Sequence, residues 1–429
     1  MVSIEGLVQM LGVGVDWSED FHVVALGTGD QGVFEVFRVE HRPSAVRALI
    51  ERIGRLEPDA AEVRVVLEAS HGMLVESLLD AGFVVVPVNP DVLARRRGPA
   101  KKKDDAEDAR IACLLALDRF TSLRPLMARG PEAGELRALA RDDERAARDE
   151  RRLLNRLRAD LVATFPAALA IAGEDLGRPT FLQMLERWPT ASDLAAATGD
   201  ELVAFARDCS HGWPERFADR VASALRGEVF VARDYLVRAK AGTIRLTAIQ
   251  LLAIGAQRRV WERRMGELLI GSTRGKDGKP KGEQPGPTVP GGEVYLSFPG
   301  LGDRLAARMA GEIGDIANFA SPNALQCYAG KAPVTRSSGK SQFVVTHRLA
   351  CNPILRDAVQ QWAFCSLSRS GWAREFYDSK RAAHKSHHSA LRALGNRWLE
   401  ILWHCLHRRI AYDETRHVAN RNRALGRAA

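Results

Sequence analysis

VRVVLEAS (63–70), HGMLVESLLDAG (71–82) and FVVVPVNP (83–90) follow one another without a break. The first is a short β-branched run of the kind that fills a buried central strand. Residues 71–81 space their apolar side chains like a helix, and FVVVPVNP is a second buried strand. Outward from this core, residues 12–40 read as two strands. GVGVDWSEDFHVVALGT turns at Ser18 to Asp20, and VFEVFRVE follows with period-two alternation. Residues 43–57 and 105–118 have helical spacing. Strands alternating with helices predict an α/β domain over residues 1–125.

Beyond it the composition changes. Residues 131–167 are rich in Arg, Glu, Asp, Leu and Ala, with Leu154, Leu157 and Leu161 on one face. They predict a long solvated helix or coiled coil. Shorter helices are expected over 175–240 and a second long one over 244–270. The helical segment therefore runs 126–270. IGSTRGKDGKPKGEQPGPTVPGGE has almost nothing to bury, so 271–294 reads as a flexible linker. A mainly helical domain occupies 295–415 and a tail 416–429. No internal repeat is visible.

The chain has 429 residues, 46% of them hydrophobic, enough for two or three domains. No apolar run approaches the roughly 20 residues that span a bilayer. The first residues, MVSIEGLVQMLGVGVD, lack a basic region and a cleavage site and read as mature protein. The cysteines 113, 209, 327, 351, 365 and 405 form no CxxC pair, which argues against a zinc site or disulfide framework and fits a reducing cytoplasm. A net charge of +9 favours a polyanionic partner, because cations placed on phosphates release condensed counterions.

Asp16 closes the first apolar strand and Glu68 closes the central one. Asp105 and Asp108 sit three apart at a helix start, so they share a face. Acids at strand ends and on an adjacent helix can converge at one sheet edge, where clustered carboxylates need cations. Mg2+, a hard ion with oxygen ligands and room for water and phosphate, suits them. Two such ions roughly 4 Å apart can polarise a phosphodiester. Plainer readings stay open: a turn start for Asp16, and helix-cap or first-turn acids for Asp105 and Asp108. An ionised Glu68 ending a Val-rich strand is harder to explain without a partner. The basic run Arg95, Arg96, Arg97, Lys101, Lys102 and Lys103 lies beside these acids in sequence and suits phosphate.

In the last domain, YLSFPGLGDRLAARMAGEIGD reads as helix, tight glycine turn, helix. Such a turn presents free backbone N–H groups to phosphate, as helix-hairpin-helix modules do, or is an ordinary helix connection. Next, Ser337-Ser338-Gly339 is flanked by Arg336 and Lys340 in a stretch that reads as an exposed loop. An alcohol there can attack a phosphodiester while the cations stabilise the transition state, although Ser-Gly pairs also mark plain turns. The tail from Ser370 to Tyr412 reads as amphipathic helices with basic faces and inward aromatics.

Together these pieces resemble the DEDD-type transposases of the insertion-sequence 110 family. The shared pattern is a strand with Asp16, a strand with Glu68, a Val-rich strand ending in Asn89-Pro90, and Lys103 through Ala109. Asp104 stands where Thr or Ser is usual, and the Asp-x-x-Asp-Ala spacing selects Asp105 and Asp108. The C-terminal motifs match at Pro299–Gly302, Phe319–Ser321, Ala329–Pro333, Ser338–Lys340 and Leu355-Arg356, while Cys351-Asn352 replaces the commoner Gly-Asn. The resemblance implies a RuvC-like (RNase H-like) N-terminal domain holding Mg2+. It also implies a C-terminal transposase domain in which Ser338 is the nucleophile, with Ser337 its rival, and phosphate contacts from Arg336, Lys340 and Arg356. A composite site of both domains is implied as well, along with target and donor double-stranded DNA, a structured guide RNA, and a homodimer or homotetramer. Two other functions compete: a Holliday-junction-resolvase-type nuclease, which needs the carboxylates but not the serine, and a non-catalytic nucleic-acid scaffold, which needs neither.

Overall fold

The computed structural model describes residues 10–69, 72–96, 104–118, 125–126, 130–227, 232–274, 280–281, 286, 288–338, 341–345 and 351–426. The chain falls into two compact units, residues 1–129 and 130–429.

The first unit is a mixed five-stranded sheet with helices on both faces, consistent with an RNase H-like fold. Its strands are β1 (Leu11–Asp16), β2 (Phe21–Thr28), β3 (Gly32–Glu40), β4 (Val63–Leu67) and β5 (Val84–Pro87), in the order β3-β2-β1-β4-β5. β1 pairs antiparallel with β2 and β2 with β3, whereas β1–β4 and β4–β5 are parallel. The antiparallel pairs need only short turns; the parallel pairs need the crossover helices α1 (Pro43–Leu56) and α2 (Met73–Asp80). Residues 12–40 thus hold three strands where two and an alternating segment were anticipated.

Alternation explains the unbroken Val run of β4. Val65 and Leu67 pack with Val46, Ile53, Leu74 and Leu78 on one side. Val66 packs with Ile111, Ala112 and Leu115 of α4 (after the short α3, Pro90–Arg96), which spans Asp105–Leu117, on the other. A strand covered on both faces has no polar side to show. Helix α3 was not anticipated. It starts at a proline, and the Asn89 side chain accepts a hydrogen bond from the Asp91 N–H.

The second unit is helical. Helix α5 (Pro131–Thr164) leads to α6 (Pro166–Ala172), α7 (Pro179–Arg187), α8 (Ala191–Ala195), α9 (Gly199–Asp208) and α10 (Pro214–Arg226), and α11 (Asp234–Ile270) returns. Helix α11 begins ten residues before the anticipated 244. The strand pair β6 (Thr273–Arg274) and β7 (Pro280–Lys281) precedes α12 (Gly292–Leu296), α13 (Asp303–Ile313) and α14 (Pro322–Tyr328). The hairpin β8 (Val334–Ser338) and β9 (Ser341–Val345) comes next, then α15 (Pro353–Ser366), α16 (Gly371–Ala382), α17 (His387–Arg408) and α18 (Glu414–Gly426).

Two hydrophobic cores form here, and α5 and α11 serve both. Leu157 and Leu161 of α5 join Ile244, Ala248 and Leu251 of α11 in the first core. Leu136 and Ala140 join Met265, Leu268 and Leu269 in the second, which is built around Trp362 and Trp398. Helix α5 is not simply solvated. Its Asp143 is buried and accepts from Arg258 Nε at 2.8 Å, and Arg258 also pairs with Glu150. Within 271–294, the Gly286 N–H donates to the Gly271 carbonyl and the Val289 N–H to that of Leu268, and Val289 is buried. No helix among the described residues is long and apolar enough to cross a membrane.

Candidate active site

Register and two glycines set the carboxylate edge. Val15 pairs with Leu67 in the parallel β1–β4 ladder, so the next step carries Asp16 and Glu68 side by side at the strands' C-terminal ends. Helix α4 lies against β1 because β1 has no side chains at Gly12 and Gly14. A Cβ on Gly12 would meet Leu117 at 2.7 Å, and one on Gly14 would meet the Ala109 carbonyl oxygen at 2.0 Å. Two strand residues advance about 6.8 Å and four helical residues about 6 Å. Stepping from Gly12 to Gly14 therefore matches stepping back from Cys113 to Ala109 on α4. Two residues on, Asp16 comes level with the start of α4, and with Asp105 and Asp108.

Asp104 caps α4, its side chain accepting from the Ala106 N–H at 3.2 Å, and Asp105 and Asp108 stand in the first turn together with Glu107. Asp108 is buried, Asp105 exposed, and Asp16 and Glu68 half-buried. The donor set is all carboxylate oxygen, which fits Mg2+. Among the described residues, however, no three His, Cys, Asp or Glu side chains come together closely enough to hold a metal ion. The β1–β4 register sets Asp16 beside Glu68, and the packing of α4 on β1 directs the start of α4 toward the same edge.

A histidine pair beside Asp16 escaped the sequence reading. His22 Nε2 lies 2.9 Å from His41 Nδ1, and the Trp17 ring stacks on His22 with centroids 6.4 Å apart. Burial, followed by the neighbouring His41, pushes His22 down to about 4, so it is neutral at physiological pH. Of the basic run, Arg95 and Arg96 end α3 and are exposed, and Arg96 reaches Asp118 at 3.4 Å. Arg97, Lys101, Lys102 and Lys103 lie outside the described residues.

The serine stretch is a β-hairpin where a loop was expected. Ser338 ends β8 opposite Ser341, with Ser337 opposite Gln342 and Arg336 opposite Phe343. Gly339 and Lys340, between the strands, lie outside the described residues. The VTRSSGKSQFVV pattern carries this signal, for a two-residue Gly-Lys connection between strands is a hairpin length.

The base of this hairpin is heavily tied. The Asn352 N–H donates to the Tyr328 carbonyl at 2.8 Å. Asn352 Nδ2 donates to Glu312 Oε2 at 2.7 Å and to the Tyr328 hydroxyl at 3.0 Å, while its Oδ1 caps α15 through the Leu355 N–H. Glu312 is buried and also receives Arg141 Nε at 2.7 Å, with Arg137 Nε 3.7 Å away. Burial raises the Glu312 carboxyl, but hydrogen bonds from Arg141 and Asn352 and the charges of Arg141 and Arg137 hold it below the usual carboxylate range.

In the segment that leads into β8, Lys331 is buried and donates from Nζ to Gln360 Oε1 at 2.8 Å. Burial, with Arg392 and Arg356 near and Asp357 opposing, lowers it to about 7. Arg356 pairs with Asp357 at 3.1 Å. Neither Glu312 nor Lys331 was singled out from the sequence; an acid and a lysine set among small and apolar residues, in AARMAGEIG and AGKAP, were the available signal.

The Phe298–Gly302 turn is tight. Gly300 has φ +85°, and a Cβ there would meet the Ser366 nitrogen at 2.8 Å. Trp362 Nε1 donates to the Pro299 carbonyl at 3.1 Å. The first turn of α13 is engaged by α11, with Arg304 paired to Glu262 at 2.9 Å.

Comparison with known proteins bears on these same segments. Residues 13–166 match the model of the DEDD-type IS110 transposases, and residues 293–378 that of the transposase IS116/IS110/IS902 family. The chain is 32% identical over 415 residues to the transposase assigned to the IS117 mini-circle of Streptomyces coelicolor, covering 95% of this chain and 96% of that protein. It is 27% identical to the 43.6 kDa protein of insertion element IS110 from the same species, over 88% and 94% of the two chains. It is 28% identical to the 42 kDa protein of insertion element IS900 from Mycobacterium paratuberculosis, over 95% and 98%. With the two family segments matched in order and a relative similar over nearly its whole length, this chain belongs to the IS116/IS110/IS902 family of DEDD-type transposases.

Proposed function

We propose that this transposase cuts and rejoins DNA through a covalent link to Ser338, in a site completed by Asp16, Glu68, Asp105 and Asp108. The observation that carries the reading is the edge at which Asp16 and Glu68 end parallel strands beside the start of α4. Mg2+ is the ion these carboxylates would hold, and when bound it supplies Lewis-acid polarisation of a phosphoryl oxygen. Holding it requires at least three of these side chains to come within ligand reach of one point, an arrangement not found among the described residues.

The serine hydroxyl is a weak nucleophile at neutral pH and needs a base. The nearest histidine in sequence, His347, is nine residues on. The carboxylate edge is the better proton acceptor, which gives one chain reason to carry both centres. Attack by Ser338 Oγ forms a phosphoserine and breaks the P–O bond to the neighbouring nucleotide. That oxygen leaves as a DNA hydroxyl once it takes a proton. Rejoining is the reverse with a different hydroxyl, so no bond energy is lost to water. Arg95, Arg96, Arg97, Lys101, Lys102, Lys103, Arg336, Lys340 and Arg356 serve as phosphate contacts. A helix-hairpin-helix-like contact at the Gly300–Gly302 turn belongs to the same reading, supported by the left-handed Gly300. Guidance by a structured RNA of the element, action in the bacterial cytoplasm, and the domain limits 1–125, 126–270, 271–294 and 295–415 follow from the family resemblance and the composition.

A nicked suicide substrate tests the chemistry. A protein–DNA adduct that survives denaturant is expected, and it vanishes on Ser338→Ala and on Asp105→Asn. Cleavage with no adduct at any time assigns the chain to water-using nucleases of the resolvase type. An adduct that persists in Ser338→Ala and is lost in Ser337→Ala moves the nucleophile by one residue.

A further inference from the structure

Trp17 follows Asp16 directly and is 44% exposed. Alternation along β1 sorts the two side chains. Gly12 and Gly14 face α4, and Asp16 continues their row. Val13 and Val15 pack in the core that α1 and α2 cover, and Trp17 continues that row. Its ring accordingly stacks on His22, which shares a row of β2 with Val24 and Leu26 of the same core. Acid and indole thus leave one strand end on opposite faces of the sheet. Met73, the first residue of α2, is 70% exposed, and β4 leads into it at this same end.

The indole sits on a braced support. His22 is fully buried, and its Nε2 lies 2.9 Å from Nδ1 of His41, whose ring stands edge-on to Trp17 at 6.4 Å. The His41 N–H donates to the Asp20 carbonyl at 2.9 Å, and the Phe21 N–H donates to the Ser18 hydroxyl at 3.4 Å. The turn that carries Trp17 is therefore tied on both sides. With one ring face on His22, the exposure belongs to the rest of the indole. Tryptophan is mostly buried in folded chains. One left open on a fixed support offers a flat face at little ordering cost.

We propose that Trp17 stacks a base of the DNA strand whose phosphate lies at Asp16 and Glu68. The inference rests on the reading of the carboxylate edge as the cutting site. The occupant follows from the chemistry of both faces. A transposase must part the bases beside a cut to exchange strands, and a base out of its stack is held on an aromatic ring. Any base suits, because each has a π face. One nucleotide carries phosphate and base on opposite sides of its sugar, as β1 carries Asp16 and Trp17 on opposite sides of the sheet. The exposed acids Glu19 and Asp20 repel phosphate from the turn itself, so the ring seats a base and not backbone.

Fluorescence of 2-aminopurine is the test. It replaces in turn each nucleotide flanking the cleaved phosphate in DNA of the element's ends, bound by the full chain with RNA of the element present. Its emission should be quenched at one of the two positions, recover several-fold in Trp17→Ala and stay quenched in Trp17→Tyr. Single-turnover nicking should fall in Trp17→Ala by roughly 5- to 150-fold, the range that loss of one base–aromatic stack spans. Trp17→Tyr should restore most of it, with an unchanged melting temperature in both variants. An abasic nucleotide at the quenched position should slow the natural chain equally and cost Trp17→Ala nothing more, a pattern that a structural role does not produce. Asp105→Asn separates the two readings. Full nicking there overturns the carboxylate site, whereas the emission needs no cutting and reports on the stack alone. Equal emission from the natural chain and Trp17→Ala at both positions, or an abasic nucleotide that slows both chains by the same factor, would overturn the proposal.

Discussion

Gly14 and Glu312 concentrate the most structure in single side chains, one by having none. An added methyl at Gly14 meets backbone atoms of α4 at 2.0 and 2.2 Å, which cannot swing aside as a side chain can. Gly14→Ala should cost about 1–3 kcal/mol by overpacking, read by urea denaturation. It should also cut adduct formation, because α4 carries Asp105 and Asp108. Glu312 is a buried anion between Arg141 and Asn352. Glu312→Gln leaves the arginines without their counter-charge, which costs roughly 3–5 kcal/mol where such pairs are broken. It should slow strand transfer as well, since Asn352 ties the base of the Ser338 hairpin. An unchanged adduct rate in Glu312→Gln would reduce the network to a purely stabilising role. The one-letter sequence displays Gly14 as a glycine and Glu312 as an acid; it does not display that the first faces a helix 95 residues away in the chain or that the second is buried.

At the scale of elements, two buried bases predict opposite ends of one pH profile. His22 of β2 falls from 6.5 to about 4 in the folded chain. Between those values the unfolded chain binds a proton that native His22 refuses, so stability is lost as pH drops through that window. At about 1.4 kcal/mol per pKa unit, the ceiling is about 3.5 kcal/mol. His22→Phe should flatten the acid limb of melting temperature against pH. Lys331, between α14 and β8, falls from 10.5 to about 7. The unfolded chain holds the extra proton from about pH 7 to about pH 10, so stability should rise with pH across that range and level off above it. Lys331→Met should abolish the rise. Unaltered profiles in both variants would mean that neither base is neutral in the fold.

The same scale shows how far the sequence could be read. Strands β4 and β5 and helices α1, α2, α4 and α5 stand within a few residues of where periodicity sets them, because period and burial are local. The hairpin of Ser338 was read as a loop, since charge and Ser-Gly content obscured its alternation. Helix α3 was missed because Asn89-Pro90 reads equally as a strand end and a helix start. The acids of the sheet edge were legible as strand-end and helix-start residues. The ties at the hairpin base were not, because Glu312, Tyr328, Lys331 and Asn352 come together only through tertiary packing.

For the whole molecule, a net charge of +9 sets the expectation for DNA. Affinity should fall by about 0.9 log units per log unit of salt for each B-DNA phosphate neutralised. Removing Arg95 and Arg96 together should reduce that slope by about two. A slope unmoved by this pair would place the DNA elsewhere. The two cores of the helical unit carry a mechanical consequence. Helix α5 has 34 residues, and its ends are set in different cores. At 1.5 Å per residue it is a rod of about 50 Å, so a tilt of about 5° at one core displaces the far end by roughly 4 Å. Small rotations where Arg141 grips Glu312 are thereby geared into ångström-scale travel at the other end. The ion pairs of Arg258 brace α5 against α11, so a tilt of one rod would carry the other with it.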